Sequence, residues 1–202
     1  VVAVDRAQAH TLEAFVAALL IVGALMFALQ ATAVTPLSAS TSSQHIENQQ
    51  RTAANDVLAT GAANGDLTEF VLHWNPEEER FNGSGETEQY PNRLPEELTF
   101  GDTLEATFGS HRIAYNVYVA HHREGRTMSA QRVVYMGSPS DNAVSATRSV
   151  ALYNDSTLTV DGYENRTLEA VGSSADESFY AENVASDELY NLVEVRLVVW
   201  RM

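Results

Sequence analysis

"DRAQAHTLEAFVAALLIVGALMFALQATAV" (Asp5–Val34) decides the fold, because from Ala14 to Ile46 the chain carries no Asp, Glu, Lys or Arg. A helix over residues 14–34 would be about 31 Å long at roughly 1.5 Å per residue, the thickness of a bilayer's hydrocarbon layer. Its many Ala and Leu favour helix, and Pro36 falls just beyond the stretch rather than inside it. A core helix of a globular domain would be shorter and apolar along one stripe only. The pattern therefore predicts a membrane-spanning segment at residues 14–34, with one carboxylate, Glu13, at its edge.

The next stretch, "SASTSSQHIENQQRTAANDVLATGAANG" (Ser38–Gly65), keeps helical spacing in Ile46, Ala53, Val57 and Leu58 before Gly61 and Asn64-Gly65-Asp66 end it. One helix over residues 8–63 follows, apolar all round in its first half and amphipathic in its second. A removable signal peptide competes for the same apolar run, which is long for that role.

Beyond the helix the period changes to two. "RIAYNVYVAHH" (Arg112–His122) puts Ile113, Tyr115, Val117 and Val119 on one face, and "AQRVVYMG" follows the turn Arg123-Glu124-Gly125-Arg126. A third strand is expected in Val144–Asn154. A fourth, in "YNLVEVRLVVWRM", places Asn191, Val193, Val195, Leu197 and Val199 on one face. Before these, a short hairpin turning at Asn75-Pro76 and a short helix near residues 102–108 are expected, and the polar, turn-rich stretch Asp161–Asp187 reads as a surface excursion. The expected architecture is α+β: a four-stranded antiparallel sheet laid on the amphipathic half of the N-terminal helix, with residues 64–202 forming the domain outside the membrane.

Composition narrows the partners. The chain has 202 residues and a formal net charge of -15, with 27 acidic residues against 12 basic ones, every one of them Arg. A phosphate backbone would be repelled by such a surface, so nucleic acid is excluded as a partner. The acids are scattered rather than gathered in a tail. This composition resembles proteins of extremely halophilic archaea, where concentrated salt screens the self-repulsion of an acidic surface. Cysteine is absent, which removes disulfides and thiolate metal sites.

Motifs for catalysis are missing. His121 and His122 are neighbours on a strand and face opposite ways, so they cannot readily share a metal. Glu77-Glu78-Glu79 and Asp176-Glu177 read as solvated turns, and no phosphate-binding loop, nucleophile elbow or zinc-protease signature occurs. No catalytic residue, metal or cofactor is expected, and an enzyme is not. Three sequons, at Asn82, Asn154 and Asn165, offer glycosylation sites outside the cell and favour an outward-facing domain, since Arg6 and Asp5 offset each other beside the membrane segment.

Arg6-Ala7-Gln8, then small and polar residues, Glu13 and the apolar helix, resemble the class III signal of archaeal type IV pilins. "RAQAHTLEAF" (Arg6–Phe15), "PSDNAVSATRSVALY" (Pro139–Tyr153) and "NLVEVRLVVW" (Asn191–Trp200) together are similar to a pilin-like family of haloarchaea, over most of the chain. The resemblance implies a leader over residues 1–7, a cut by a prepilin peptidase between Ala7 and Gln8, and self-association or assembly with other pilin-like subunits. Glu13 would then sit at the sixth mature position and set register against the freed α-amino group of a neighbour. Gly23, Ala24 and Ala28 are small enough for close helix approach in an assembled core. The chain would lie in the cell membrane with its domain outside, or in an extracellular filament. A permanently anchored envelope protein with an outward binding domain is the alternative.

Overall fold

The structure, a computed structural model, describes residues 2–81, 90–123, 127–184 and 187–202, with side chains throughout these except at residues 2–9, 30–43 and 110. It divides into two compact units, Val1–Ile46 and Glu47–Met202.

Helix α1 runs over Val2–Asn64. It ends where Gly65 turns to φ 91°, a left-handed conformation that costs glycine little, and α2 (Asp66–Leu72) begins at once. Asp66 and Glu69 in the first turn of α2 complement its dipole, and four of its seven residues, Leu67, Phe70, Val71 and Leu72, are buried. The end of α1 that belongs to the second unit buries Gln50, Ala54, Val57 and Leu58. The expected packing stripe was partly different: Val57 and Leu58 are in the core, but Ile46 is 38% exposed and Gln50 is buried in its place. At Gly61 the helix passes so close to α2 that a Cβ would lie 3.2 Å from Leu67 Cγ.

Strands β1 (Trp74–Asn75) and β2 (Arg80–Phe81) form the short hairpin expected at Asn75-Pro76. Asn75 Oδ1 starts the turn by accepting from the backbone N–H groups of Glu77 and Glu78, both at 3.0 Å. Helix α3 (Thr99–Phe108) begins three residues earlier than the spacing predicted and buries Phe100, Leu104 and Phe108, one turn apart, on one face.

Four strands make the main sheet: β3 (Ile113–His122), β4 (Met128–Tyr135), β5 (Val144–Tyr153) and, after α4 (Leu168–Gly172), β6 (Leu189–Arg201). Their order is β4-β3-β6-β5, antiparallel throughout. The last strand thus enters between β3 and β5. The face expected from alternation is the inner one: Val193, Val195, Leu197 and Val199 are fully buried and pair with His121, Val119, Val117 and Tyr115. Full burial of each such aliphatic side chain contributes about 1.5–3 kcal/mol. The core they build is shared with α2, α3 and the end of α1.

The described residues of Asp161–Asp187 are mostly exposed or half-buried, as expected of a surface excursion, but the stretch is anchored in the core. Leu168, Val171 and Ala181 lie in the core, and Phe179 and Tyr180 pack against it. Thr167 caps α4 by accepting from Ala170 N, and Tyr180 donates its hydroxyl to Val71 O at 3.0 Å. Few apolar residues at wide spacing hid this role, because each anchors separately rather than along a periodic face.

Candidate functional site: the exposed apolar helix and the sequon loops

Within α1, His10–Leu29 has the length and composition to cross a membrane, with a mean hydropathy of 2.5 and no part of the window buried. Leu12, Phe15, Leu19, Leu20, Ile21, Val22, Leu25, Met26, Phe27 and Leu29 are all exposed, so the apolar surface runs round the whole helix. That is the surface of a membrane anchor or a signal sequence. Water-exposed apolar surface of this extent marks a lipid or protein contact. The expected span of residues 14–34 begins four residues later and ends among side chains outside the described ones.

Gly23 has open space where a Cβ would be, so nothing among the described residues requires a glycine there. Ala24 and Ala28 lie one turn apart on the same exposed helix. Glu13 is equally open to solvent, and among the described side chains His10 lies beside it, with Nδ1 3.7 Å from Glu13 Oε2. His10 was not singled out in the sequence, although an i,i+3 pair is what helical spacing brings together. Ala7 and Gln8 fall within α1, but their side chains lie outside the described ones.

The sequons separate into different environments. Asn154 is tied down: its Nδ2 donates to Asp187 O at 2.8 Å, and its Oδ1 accepts from Asn183 Nδ2 at 3.0 Å. Its backbone is held as well, N–H to Glu188 O and C=O from Glu169 N. The sequon's Ser156 hydroxyl accepts from Tyr153 N at 3.0 Å. Asn165 is exposed at the tip of a turn closed by Arg166 N to Tyr163 O at 2.8 Å. Thr167, two residues on, accepts from Ala170 N as helix cap and keeps its hydroxyl proton free to donate. Asn82 lies outside the described residues.

Elsewhere, little among the described residues resembles a ligand pocket. An enclosed cavity beside Phe70, His73, Phe81 and Leu98 holds about 10 Å³, room for one water at most. Burial lowers the pKa of His73 there, against the opposing pull of Glu97 and Glu69. His121 is buried on the inner face and His122 half-buried on the outer one, so the two imidazoles are separated by the sheet. Burial lowers the His121 pKa too, with Arg123 adding to it. Among the described residues no group of three or more His, Asp or Glu is placed to hold a metal ion. Two open clefts, about 520 and 480 Å³, share Glu169: one is lined by Asp155, Asp187 and Glu188, the other by Glu177 and Glu182.

No curated protein and no solved structure matches this chain. One family model does, over residues 6–199, from the arginine before the apolar helix to the last strand of the sheet. The chain belongs to DUF7288, a family of unknown function.

Proposed function

We propose that the protein is a type IV pilin-like structural subunit of an archaeal surface filament, assembled through its apolar N-terminal helix. One observation carries this reading: residues 10–29 of α1 are apolar all round and unburied, while the unit Glu47–Met202 closes its own core without them. In the membrane, lipid covers that surface. In a filament, the same helices of neighbouring subunits would cover it, and the loss of apolar area would drive assembly.

A prepilin peptidase would cut between Ala7 and Gln8 and leave a free α-amino group. A carboxylate at the hydrocarbon boundary is costly when ionised and unpaired. Glu13 of one subunit would pair with the amine of the next, in place of its exposed neighbour His10, and so fix the register. Gly23, Ala24 and Ala28 would let the helices approach closely. The acidic α+β unit would face outward, carrying any glycans.

Intact mass and N-terminal peptide mapping of the protein from its native membrane or cell surface test the reading. A chain beginning at Gln8 is the expected result. A chain retaining Ala7 and the residues before it would indicate a permanently anchored envelope protein instead. A chain beginning beyond about residue 35 would overturn both.

A further inference from the structure

The charge of this chain is not evenly spread. The four strands β3 to β6 contain four Arg and one Glu, whereas the rest of the chain contains eight Arg and 26 Asp and Glu. The sheet is a basic island on a strongly acidic protein.

Its outer face is organised round one row. Arg132, Tyr118, Arg196 and Thr147 are direct cross-strand neighbours, one from each strand in the order β4-β3-β6-β5. The Arg196 guanidinium lies 4.8 Å from the centre of the Tyr118 ring, and that of Arg132 lies 4.3 and 5.1 Å from the Tyr135 and Tyr90 rings. Tyr118 is fixed in turn: its hydroxyl accepts from Asn116 Nδ2 at 3.3 Å, and the fully buried Asn116 is pinned by Met136 N and Gly137 O. Cross-strand positions beside the row are small, Ala120, Ala130, Ser145 and Ser149, while Glu194, two residues before Arg196 on the same face, forms no ion pair with its guanidinium.

Arg51, Arg80, Arg93, Arg123 and Arg166, all off the sheet, bond a side-chain oxygen nearby, four of them a carboxylate. Arg132 and Arg196 have no carboxylate within 4.0 Å among the described residues. Stacked on aromatic rings and held in place, they keep their hydrogen-bonding edges for something else.

The complementary surface is on the same chain. Asp155, Glu169, Asp187 and Glu188 surround the cleft of about 520 Å³ at the end of β5, and none of them has an Arg partner among the described residues. We propose that the Arg132–Tyr118–Arg196 row docks onto this acidic cleft of a second copy. The contact is head-to-tail, since the two patches differ, and a heterologous contact of this kind passes from copy to copy, building an open filament wherever its rotation does not close a ring. It extends the filament reading to the outward units: the apolar helices would supply the association, and the Arg row would supply orientation by charge complementarity.

The absence of cysteine makes a clean test available. Two single variants of the full-length chain, T147C and D187C, are co-expressed in the native membrane and oxidised. The expected result is a disulfide-linked dimer of one T147C and one D187C chain, with little linkage in either variant alone. Adding Arg132→Glu and Arg196→Glu to the T147C chain should cut that dimer by at least about tenfold. Adding Asp155→Arg and Glu188→Arg to the D187C partner should restore it. A mixed dimer indifferent to the charge reversals, linkage of T147C to itself alone, or no mixed dimer would each overturn the proposal. N-terminal mapping of the same samples separates the two readings. A chain starting at Gln8 without the mixed dimer leaves the pilin reading standing and removes this one, whereas the mixed dimer on an unprocessed chain does the reverse.

Discussion

Asn154 and Asn165 carry the same three-residue signal, yet the fold treats them differently. The amide nitrogen of Asn154, the atom a glycan would join, already donates to Asp187 O, and its carbonyl oxygen accepts from Asn183. A glycan would replace one of the two hydrogens on that nitrogen and would have to fit beside the contacts to Asp187 and Asn183, which lie at the exposed surface. Asn165 sits exposed on its turn. If the unit faces an N-glycosylating compartment, peptide-level mass spectrometry should find glycan on Asn165 and bare Asn154. Occupancy at Asn154 equal to that at Asn165 would mean that the sugar is attached before the 154–188 contacts form. Sequon spacing alone cannot separate the two sites, because the partners of Asn154 lie about thirty residues away in sequence.

At the scale of elements, the least expected contribution comes from the short helix α4 and the loops around it. Thr167 caps the helix, Leu168 N donates to Ser156 O at 2.9 Å, and Leu168 and Val171 are fully buried. A mobile surface loop would tolerate truncation of either side chain. A core element would not, so Leu168→Ala should lower stability by about 2–5 kcal/mol. Urea unfolding of the full chain in detergent, followed by tryptophan fluorescence, would measure it; a change below about 0.5 kcal/mol would return the segment to the surface. The strands, by contrast, were legible from their alternation. Every inner residue expected on β6, from Asn191 to Val199, is buried. Helix α1 was legible from its uncharged length, although its packing stripe was misread at Ile46, because glutamine at position 50 gives no hydrophobic signal where the helix enters the core.

For the whole molecule, burial of ionisable groups limits stability at both ends of the pH scale. The core keeps His73 and His121 neutral, with pKa values below the ordinary 6.5, and His121 Nδ1 has no partner among the described residues. Below about pH 6.5 the unfolded chain takes up protons that the folded chain refuses, so stability is full above that pH and falls as the pH drops toward the lowered values. At the alkaline end, burial raises Tyr115 from 10.0 to about 12 and pushes Tyr180 and Tyr190 upward as well. Stability is then full below pH 10 and is lost as the pH rises through about 12. Urea midpoints measured from pH 4 to 11 should trace this dome, and His73→Gln with His121→Gln should flatten its acid side. An acid side unchanged in that double variant would assign the loss to carboxylates instead.

By itself the sequence determined what is local: the bilayer-length apolar run, the helix that continues it, the alternation of four strands and an acidic, cysteine-free composition. Each of these is a period or a count that a linear chain displays directly. Only the tertiary structure decided the strand order β4-β3-β6-β5, the anchoring of the 161–187 stretch through Leu168, Val171 and Ala181, and the hydrogen bonds that hold Asn154. It alone aligned Arg132, Tyr118, Arg196 and Thr147 in one row. Those features are neighbourhoods between residues far apart in sequence. A period of two says which face a residue joins, but cross-strand register, set by the whole core closing at once, says which residues it meets there.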